Sequence, residues 1–453
     1  MLRTYLFDRV SQTLNNYGHR ADERRKKKKN ALRLFDLVSE RNWDGLLAEL
    51  SAHPDKECFS RNDVHVFGAT QYLLDNLLDR MNHTPNSVIW ATIAADPGSL
   101  TQRDIDRFLP LHQACYHGNP EHIRIILEAY PQASMVYAEG RGLPVTCYLT
   151  GSFPNHRLSV VDMLLELYPD GARSHIVPTT CQITESSKSN IVNAGDAMYN
   201  PILRRAYRNW NALKKYENAI GEDELHAGEG SEESSSSTLS PSSSPALNES
   251  WGIIVSILRK RHQLEAEGLH FSPLYAALGS NELRMGYMNM TDLPIDEILT
   301  RYAVDVKAAQ HKIFHQDGKT PLHLLIDLRL PKVTSFRGAY TQQYARQKHI
   351  EALVKLLQIN PELVCIPDSS GKLPLHYALE RDYDDWFLLR LLTEYDSRVL
   401  VTPDYSSRLY PFMIAASRSN DQGIDDETLS RIGLSNVYSL LRMRPERMLL
   451  GLE

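Results

Sequence analysis

One short phrase recurs along the chain and decides the fold: Leu109-Pro110-Leu111-His112 returns as Thr320-Pro321-Leu322-His323 and again as Leu373-Pro374-Leu375-His376. Looser copies are Leu143-Pro144-Val145-Thr146, Ser272-Pro273-Leu274-Tyr275 and Tyr410-Pro411-Phe412-Met413. The prolines at 110 and 144 are 34 residues apart, and those at 374 and 411 are 37 apart. A recurrence near this period indicates stacked supersecondary units in place of one globular core.

The phrase has a physical basis in the backbone. Proline fixes φ near the helical value, and its missing N–H costs nothing at the first position of a helix. The residue before proline is pushed towards extended geometry, so the chain enters each helix from a turn. A glycine often precedes the phrase, as Gly318 and Gly371 do, and supplies the positive φ of a tight turn.

A second apolar segment of helical period follows most copies of the phrase. Several of these segments end at a proline, which stops a helix; the stops are Tyr130-Pro131, Tyr168-Pro169, Asn360-Pro361 and Arg444-Pro445. Apolar periodicity predicts further helices over Val66–Met81, Pro201–Ala219, Trp251–Leu264 and Leu434–Met443.

A turn, Gly-x-Thr-Pro-Leu-His, a short helix and a second helix together resemble the ankyrin repeat. The resemblance covers most of 106–178 and 251–447. It implies an all-α fold, an ankyrin-type solenoid of helix-turn-helix repeats with hairpin-like turns. The repeats are degenerate, because threonine precedes the proline only at Thr320 and leucine replaces it at 109, 143 and 373. The 53 residues from Pro321 to Pro374 imply an insertion at about 330–346.

Composition along the chain predicts five segments. They are a basic polar leader without order (1–30), a helical N-terminal cap or degenerate repeats (31–105), ankyrin-like repeats (106–216), a Ser/Glu-rich insertion or linker without order (217–250), and further repeats with a C-terminal capping helix (251–453). Low apolar content is the reason for predicting disorder at 217–250. That segment either loops out of one array or links two.

Overall composition limits the functional class. The chain has 453 residues, 42% of them apolar, and a formal charge of −6, which disfavours a nucleic acid as the partner of the whole protein. Five scattered cysteines without a C-x-x-C pair indicate a reducing compartment. No apolar run approaches a membrane span, and the N-terminus does not have the pattern of a secretory signal. An intracellular protein, cytoplasmic or nuclear, is expected.

Catalytic and metal-binding patterns are weak. His112, Cys115, His117 and His122 lie close in sequence, but their spacing does not match a tetrahedral metal site, and a turn hydrogen bond is the simpler role for His112. The Gly318-Lys319-Thr320 segment lacks the upstream glycine of a phosphate loop. We therefore expect no catalytic residue, no metal and no cofactor.

The resemblance implies a non-catalytic scaffold or adaptor, monomeric, that binds a protein partner through the concave face of the stack. The expected partner-binding residues flank the Pro-Leu phrases; they are Arg141, Gln316, Lys319, Lys372, Tyr377, Arg381, Tyr405 and Arg408. Because these positions are not needed for the core, we also expect them to be exposed.

A basic run in the leader supports an alternative. Arg24, Arg25, Lys26, Lys27, Lys28 and Lys29 form a candidate nuclear-import signal, although such runs are also common in solvated tails. The alternative is a nuclear regulatory protein whose basic tail binds nucleic acid or an import receptor. A regulatory module of an enzyme complex is a second alternative.

Overall fold

The protein is described here by a computed structural model. It describes residues 33–52, 65–66, 69–70, 73–79, 83–104, 108–138, 142–151, 156–172, 202–227, 244–265, 271–278, 294–301, 303, 317–328, 336–380, 386–417 and 437–443. These residues are predominantly helical, as the predicted all-α class requires. The chain divides into two compact units, Met1–Ser256 and Ile257–Glu453.

In the first unit, helices pack in two rows. The helices are α1 (33–39), α2 (Trp43–Ala52), α3 (Leu73–Leu78), α4 (Asn86–Ala95), α5 (Pro110–His117), α6 (Pro120–Ala129), α7 (Pro144–Gly151), α8 (Leu158–Leu167) and α9 (Ile202–Ala227), with α10 (Pro245–Glu265) at the boundary of the unit. One row runs α3, α5, α7 and α9, and the other runs α2, α4, α6 and α8, each helix contacting the next of its row.

The second unit repeats this pairing. Its further helices are α11 (Pro273–Leu278), α12 (Ile295–Arg301), α13 (Pro321–Asp327), α14 (Phe336–Ile359), α15 (Pro374–Glu380), α16 (Trp386–Tyr395), α17 (Pro411–Ser417) and α18 (437–443). The row of Pro-initiated helices runs α11, α13, α15 and α17, and α12, α14 and α16 form the row beside it. Leu322 and Leu375, which follow the prolines that start α13 and α15, are fully buried.

All six Pro-Leu phrases begin a helix. The prolines at 110, 144, 273, 321, 374 and 411 are each the first helical residue of α5, α7, α11, α13, α15 and α17. Before α5 and α13, the preceding residues Leu109 and Thr320 are extended, with ψ of 159° and 165°. The local sterics of proline therefore predict the helix starts correctly.

Three of the predicted proline stops are also confirmed. Helices α6, α8 and α14 end one residue before Tyr130, Tyr168 and Asn360, and short 3₁₀ turns start at the prolines that follow. The turns are Pro131–Met135, Pro169–Ala172 and Pro361–Cys365. The fourth predicted stop, Arg444-Pro445, lies outside the described residues.

The helix predicted over Val66–Met81 is wrong in its first half. Strands β1 (His65–Val66) and β2 (Ala69–Thr70) pair antiparallel there, and α3 begins only at Leu73. Glycine, which is unfavourable in a helix interior, stands at position 68 of the sequence. Apolar period alone does not take this residue into account.

The predicted Ser/Glu-rich segment 217–250 is too wide at both ends. Helix α9 continues to Ala227 through good helix formers such as Glu222 and Glu224, and α10 begins at Pro245, where Ser244 accepts a hydrogen bond from Leu247 N–H. Residues 228–243 and the leader 1–30 lie outside the described part of the chain. Likewise, α14 already begins at Phe336, so much of the predicted insertion 330–346 is helical.

Candidate functional site

Each Pro-Leu-His histidine ties its helix to the following turn. The Nδ1 atom of His112, His323 and His376 accepts the N–H of the residue before the proline, at 3.3, 3.1 and 3.1 Å. Because Nδ1 accepts, the neutral ring carries its proton on Nε2. Nε2 then donates to the carbonyls of Val136, Lys372 and Thr402, at 3.0, 2.9 and 3.1 Å. We call these three residues the bridging histidines.

Each bridging histidine satisfies the backbone N–H of the residue that precedes its proline. Leucine at 109 and 373 offers no hydroxyl to cap the helix, and there the N–H groups of His112 and His376 bond the backbone carbonyls of Leu109 and Leu373, at 2.8 and 3.0 Å. Burial lowers the pKa of His112 and of His323 to about 4, although their bonds to carbonyls act in the opposite direction. These rings are therefore neutral structural links at neutral pH.

Two turns before the phrases of the second unit are closed by aspartates. We number the turns of this unit as the first tip (317–320), the second tip (367–373) and the third tip (403–410). Asp368 N–H donates to the carbonyl of Lys372, and Asp404 N–H to that of Leu409, each at 2.9 Å, as in a small hairpin. The Asp368 carboxylate also accepts the N–H of Lys372 at 2.8 Å. Sequence reasoning missed these aspartates, whose signal was an Asp six or seven residues before Pro374 and Pro411.

Hydrogen bonds lower the pKa of both tip carboxylates. Burial alone would raise the pKa of Asp368, but donors on Ser370, Tyr377 and the backbone outweigh it. The Asp404 carboxylate behaves in the same way, with burial opposed by the N–H and hydroxyl groups of Ser406 and Ser407. Both carboxylates are therefore charged and committed to the turns that contain them.

Consecutive tips pack on one another through glycine. The N–H and hydroxyl of Ser369 both donate to the Asp317 carbonyl, at 3.0 and 2.6 Å. A Cβ added to Gly318 would lie 2.8 Å from Ser369 N, and one added to Gly371 would lie 2.3 Å from Tyr405 Cβ. In both cases the residue that covers the glycine directly follows the aspartate of the next tip: Ser369 follows Asp368, and Tyr405 follows Asp404. Both glycines also have a left-handed φ, +67° and +81°.

Replacing Gly371 with alanine is expected to lower the free energy of unfolding by about 2–4 kcal/mol, because strained φ and a steric clash add up. The opposite exchange, Arg408→Gly, is made at the same repeat position, three residues before the proline, where Arg408 has φ 56°. It is expected to raise the free energy of unfolding by about 0.5 kcal/mol. Urea melts of both variants check this, and equal losses would contradict it.

Two of the predicted partner-binding residues turn out to be paired within the fold. Lys319 is only 11% exposed and lies 3.3 Å from the Asp327 carboxylate, and Lys372 pairs with Glu380. Their Nζ atoms lie 4.8 and 5.9 Å from the ring centroid of Tyr377. We expected Lys319, Lys372 and Tyr377 to be exposed, but all three are only partly exposed. The reason is that each lysine is in an ion pair and both lysines lie over the Tyr377 ring.

The Tyr377 ring is the centre of this cluster. Its hydroxyl donates to the Asp368 carboxylate at 2.7 Å, and its ring packs edge-on against His323, with centroids 5.3 Å apart. Burial and the Asp368 charge raise the pKa of Tyr377 well above its usual range. The ring links the first and second tips.

The third tip differs, because Tyr405 and Arg408 remain exposed. Tyr405 is 69% exposed, and the guanidinium of Arg408 lies 5.0 Å from the centroid of its ring. These two residues meet the expectation of exposure. Arg141, Gln316 and Arg381, and the basic run Arg24, Arg25, Lys26, Lys27, Lys28 and Lys29, lie outside the described residues.

The histidine and cysteine cluster of the first unit is occupied by structural contacts. His112 makes the bridge described above, and His122 Nε2 bonds the Thr84 carbonyl at 3.1 Å. Burial, followed by the neighbouring Cys147, raises the pKa of Cys115 well above its usual value. Within the part of the chain that the structure describes, no group of three or more potential ligands is arranged to hold a metal ion.

Among the helices described, none combines the length and the apolar character that crossing a membrane requires.

Comparison with known proteins does not identify a family for this chain. No protein-family model matches the sequence, and no curated protein matches it either.

Proposed function

We propose that this protein is a non-catalytic adaptor that binds a protein partner through the tips of an ankyrin-type stack. The observation that carries the proposal is the repeated bridge: a Pro-initiated helix whose histidine is hydrogen-bonded to the next turn. This bridge occurs at three phrases, with similar distances for His112, His323 and His376.

The packing supports a stack in which each helix pair contacts its neighbours. The Pro-initiated helices α11, α13, α15 and α17 contact one another in sequence order, as do α3, α5, α7 and α9. Such arrays gain stability from interfaces between adjacent units, and their exposed turns form an extended row. A row of this kind suits recognition of another polypeptide.

The polar groups of the tips also favour binding over catalysis. The bridging histidines and the carboxylates of Asp368 and Asp404 are held by backbone and hydroxyl groups of their own turns. Groups used in this way are not positioned to transfer protons to a substrate. What the tips offer to a partner is side-chain surface, of which Tyr405 is the most exposed large residue.

Capture of a partner from a cell lysate by the intact protein, followed by mass spectrometry, tests this proposal. Tyr405→Ala is expected to reduce recovery of the partner at least tenfold, because exposed tyrosines frequently dominate interfaces. Phe387→Ala is the matched control, since it removes a 45% exposed ring from α16, which belongs to the second row of helices and to none of the tips. Both variants are expected to keep the free energy of unfolding within about 1 kcal/mol.

The two variants give opposite outcomes if the proposal holds. Full recovery by Tyr405→Ala with loss in Phe387→Ala would place the interface on the second row of helices. Equal recovery by both would mean that the third tip takes no part in binding. Turnover of any small molecule by the purified protein would contradict the non-catalytic role.

A further inference from the structure

The third tip breaks the pattern of the first and second tips at one repeat position. Gly318 and Gly371 stand three residues before Pro321 and Pro374 and are covered by the next tip. Arg408 stands at the same position before Pro411. It keeps the left-handed φ of the glycines, 56°, but its side chain is exposed. A bulky residue held in this conformation is uncommon and indicates a constraint other than local stability.

The charge at the third tip is also unlike that of the other two. Lys319 and Lys372 are each paired with an acid eight residues later, Asp327 and Glu380. The corresponding positions of the third tip are Leu409 and Ser417, so the pair is absent there. Arg408 makes no ion pair with any residue in the described part of the chain, which includes all of the third tip.

The carboxylate of the same turn, Asp404, is used within the turn. Asp404 accepts hydrogen bonds from the hydroxyls of Ser406 and Ser407, at 3.0 and 2.6 Å to Oδ2, and closes the turn. The Arg408 guanidinium instead lies over the face of Tyr405. An arginine stacked on an aromatic ring keeps its edge N–H groups available, and that edge fits a carboxylate or phosphate with two parallel hydrogen bonds.

We propose that Arg408, supported by the ring of Tyr405, is the anchor for an anionic side chain of a partner polypeptide. The group bound is a carboxylate or a phosphate, which present the same pair of acceptor oxygens to the guanidinium. The proposal rests on the function proposed above, and it names the chemistry that the third tip selects. It distinguishes this tip from the first and second, whose cations are neutralised within the fold.

Selection from a random peptide library displayed on phage tests this, with full-length protein as the target. Wild-type protein is expected to enrich peptides that carry an aspartate or glutamate at a fixed position. Arg408→Gln is expected to lose that preference. Lys372→Gln, which removes a cation already paired with Glu380, is the matched control and is expected to retain it. A thermal melt of each variant checks that the fold is intact.

A selected peptide, made synthetically, then gives dissociation constants. We expect at least tenfold weaker binding to Arg408→Gln, an intermediate loss with Arg408→Lys, which keeps charge without the planar fork, and less than twofold change with Lys372→Gln. Changing the peptide's acidic residue to its amide is expected to weaken binding to wild type but not to Arg408→Gln. A peptide with phosphoserine in place of the acidic residue distinguishes the two groups. Tighter binding of this peptide than of the acidic one would identify phosphate as the preferred group.

Failure of this inference is distinguishable from failure of the proposed function. Peptides whose binding depends on Tyr405 but not on Arg408 would overturn the anionic anchor and leave the tips as the binding surface. Peptides insensitive to both residues would overturn both proposals. Absence of any acidic preference in the selected pool would also overturn the anchor.

Discussion

Replacing Leu322 or Leu375 with alanine is expected to lower the free energy of unfolding by about 2–5 kcal/mol, the range for removing a large buried side chain. Both leucines are 0% exposed and follow the proline that starts α13 or α15. Each therefore lies between neighbouring helices, and its loss leaves a cavity at an interface that holds adjacent helix pairs together.

Urea denaturation followed by circular dichroism measures these losses. Because both leucines lie in the second unit, their effects are expected on the same transition. Leu441→Ala, in α18, provides the control, since that side chain is 40% exposed and its removal is expected to cost less than about 1 kcal/mol. A loss below 0.5 kcal/mol at Leu322 or Leu375 would contradict the packing of the Pro-initiated row.

Acidification from pH 6.5 to 4 is expected to destabilise both units strongly. The pKa values of His112, His156 and His323 are lowered to about 4, with burial as the largest cause, against about 6.5 in the unfolded chain. Between these values the unfolded state binds protons that the folded state does not, so stability falls as pH falls. Each ring contributes about 1.4 kcal/mol per pH unit, or about 3 kcal/mol over the window.

Other groups act on the same profile and must be separated from these histidines. Burial also lowers the pKa of His122 and of His376, which adds to the acid sensitivity. Asp75 has the opposite sign, because burial raises its pKa well above the usual value and the folded state takes up its proton first. The pKa of Asp368 is lowered in the folded state, so protonation of this carboxylate destabilises the fold only below about pH 4.

Urea melts at pH 7 and pH 5 check the prediction, with His323→Gln as the informative variant. This variant is less stable than the parent at pH 7, since it loses the bond from Nε2 to the Lys372 carbonyl. Its loss of stability between pH 7 and pH 5 is expected to be smaller by one histidine's contribution. An identical pH dependence in both proteins would show that His323 titrates normally in the folded state.

The candidate site was predictable from the sequence only in outline. The repeated phrase placed the tips correctly, and Tyr405 and Arg408 are exposed there as expected. The state of Lys319 and Lys372 was not predictable, because a lysine before a Pro-Leu phrase gives no sign that an acid on the last turn of the following helix will pair with it.

The sequence by itself determined where the helices of the repeats begin and end. Proline restricts φ and the residue before it, so Pro110, Pro321 and Pro374 set the helix starts through interactions that span a few atoms. Apolar periodicity failed at 66–70, where two short paired strands replace the start of the predicted helix, and composition failed at both ends of 217–250, where helices extend into polar sequence.

Only the tertiary structure decided which polar groups serve the fold and which remain for a partner. Each bridging histidine finds the carbonyl that accepts its Nε2–H in the next turn, 24 to 49 residues along the chain. Gly371 is covered by Tyr405 of the next tip. Arg408 corresponds to Gly371, three residues before the phrase proline, and has the same left-handed backbone conformation, but it stays exposed. Such outcomes depend on how successive helices and turns within a unit pack, and the backbone sterics that fix each helix start contain no information on that packing.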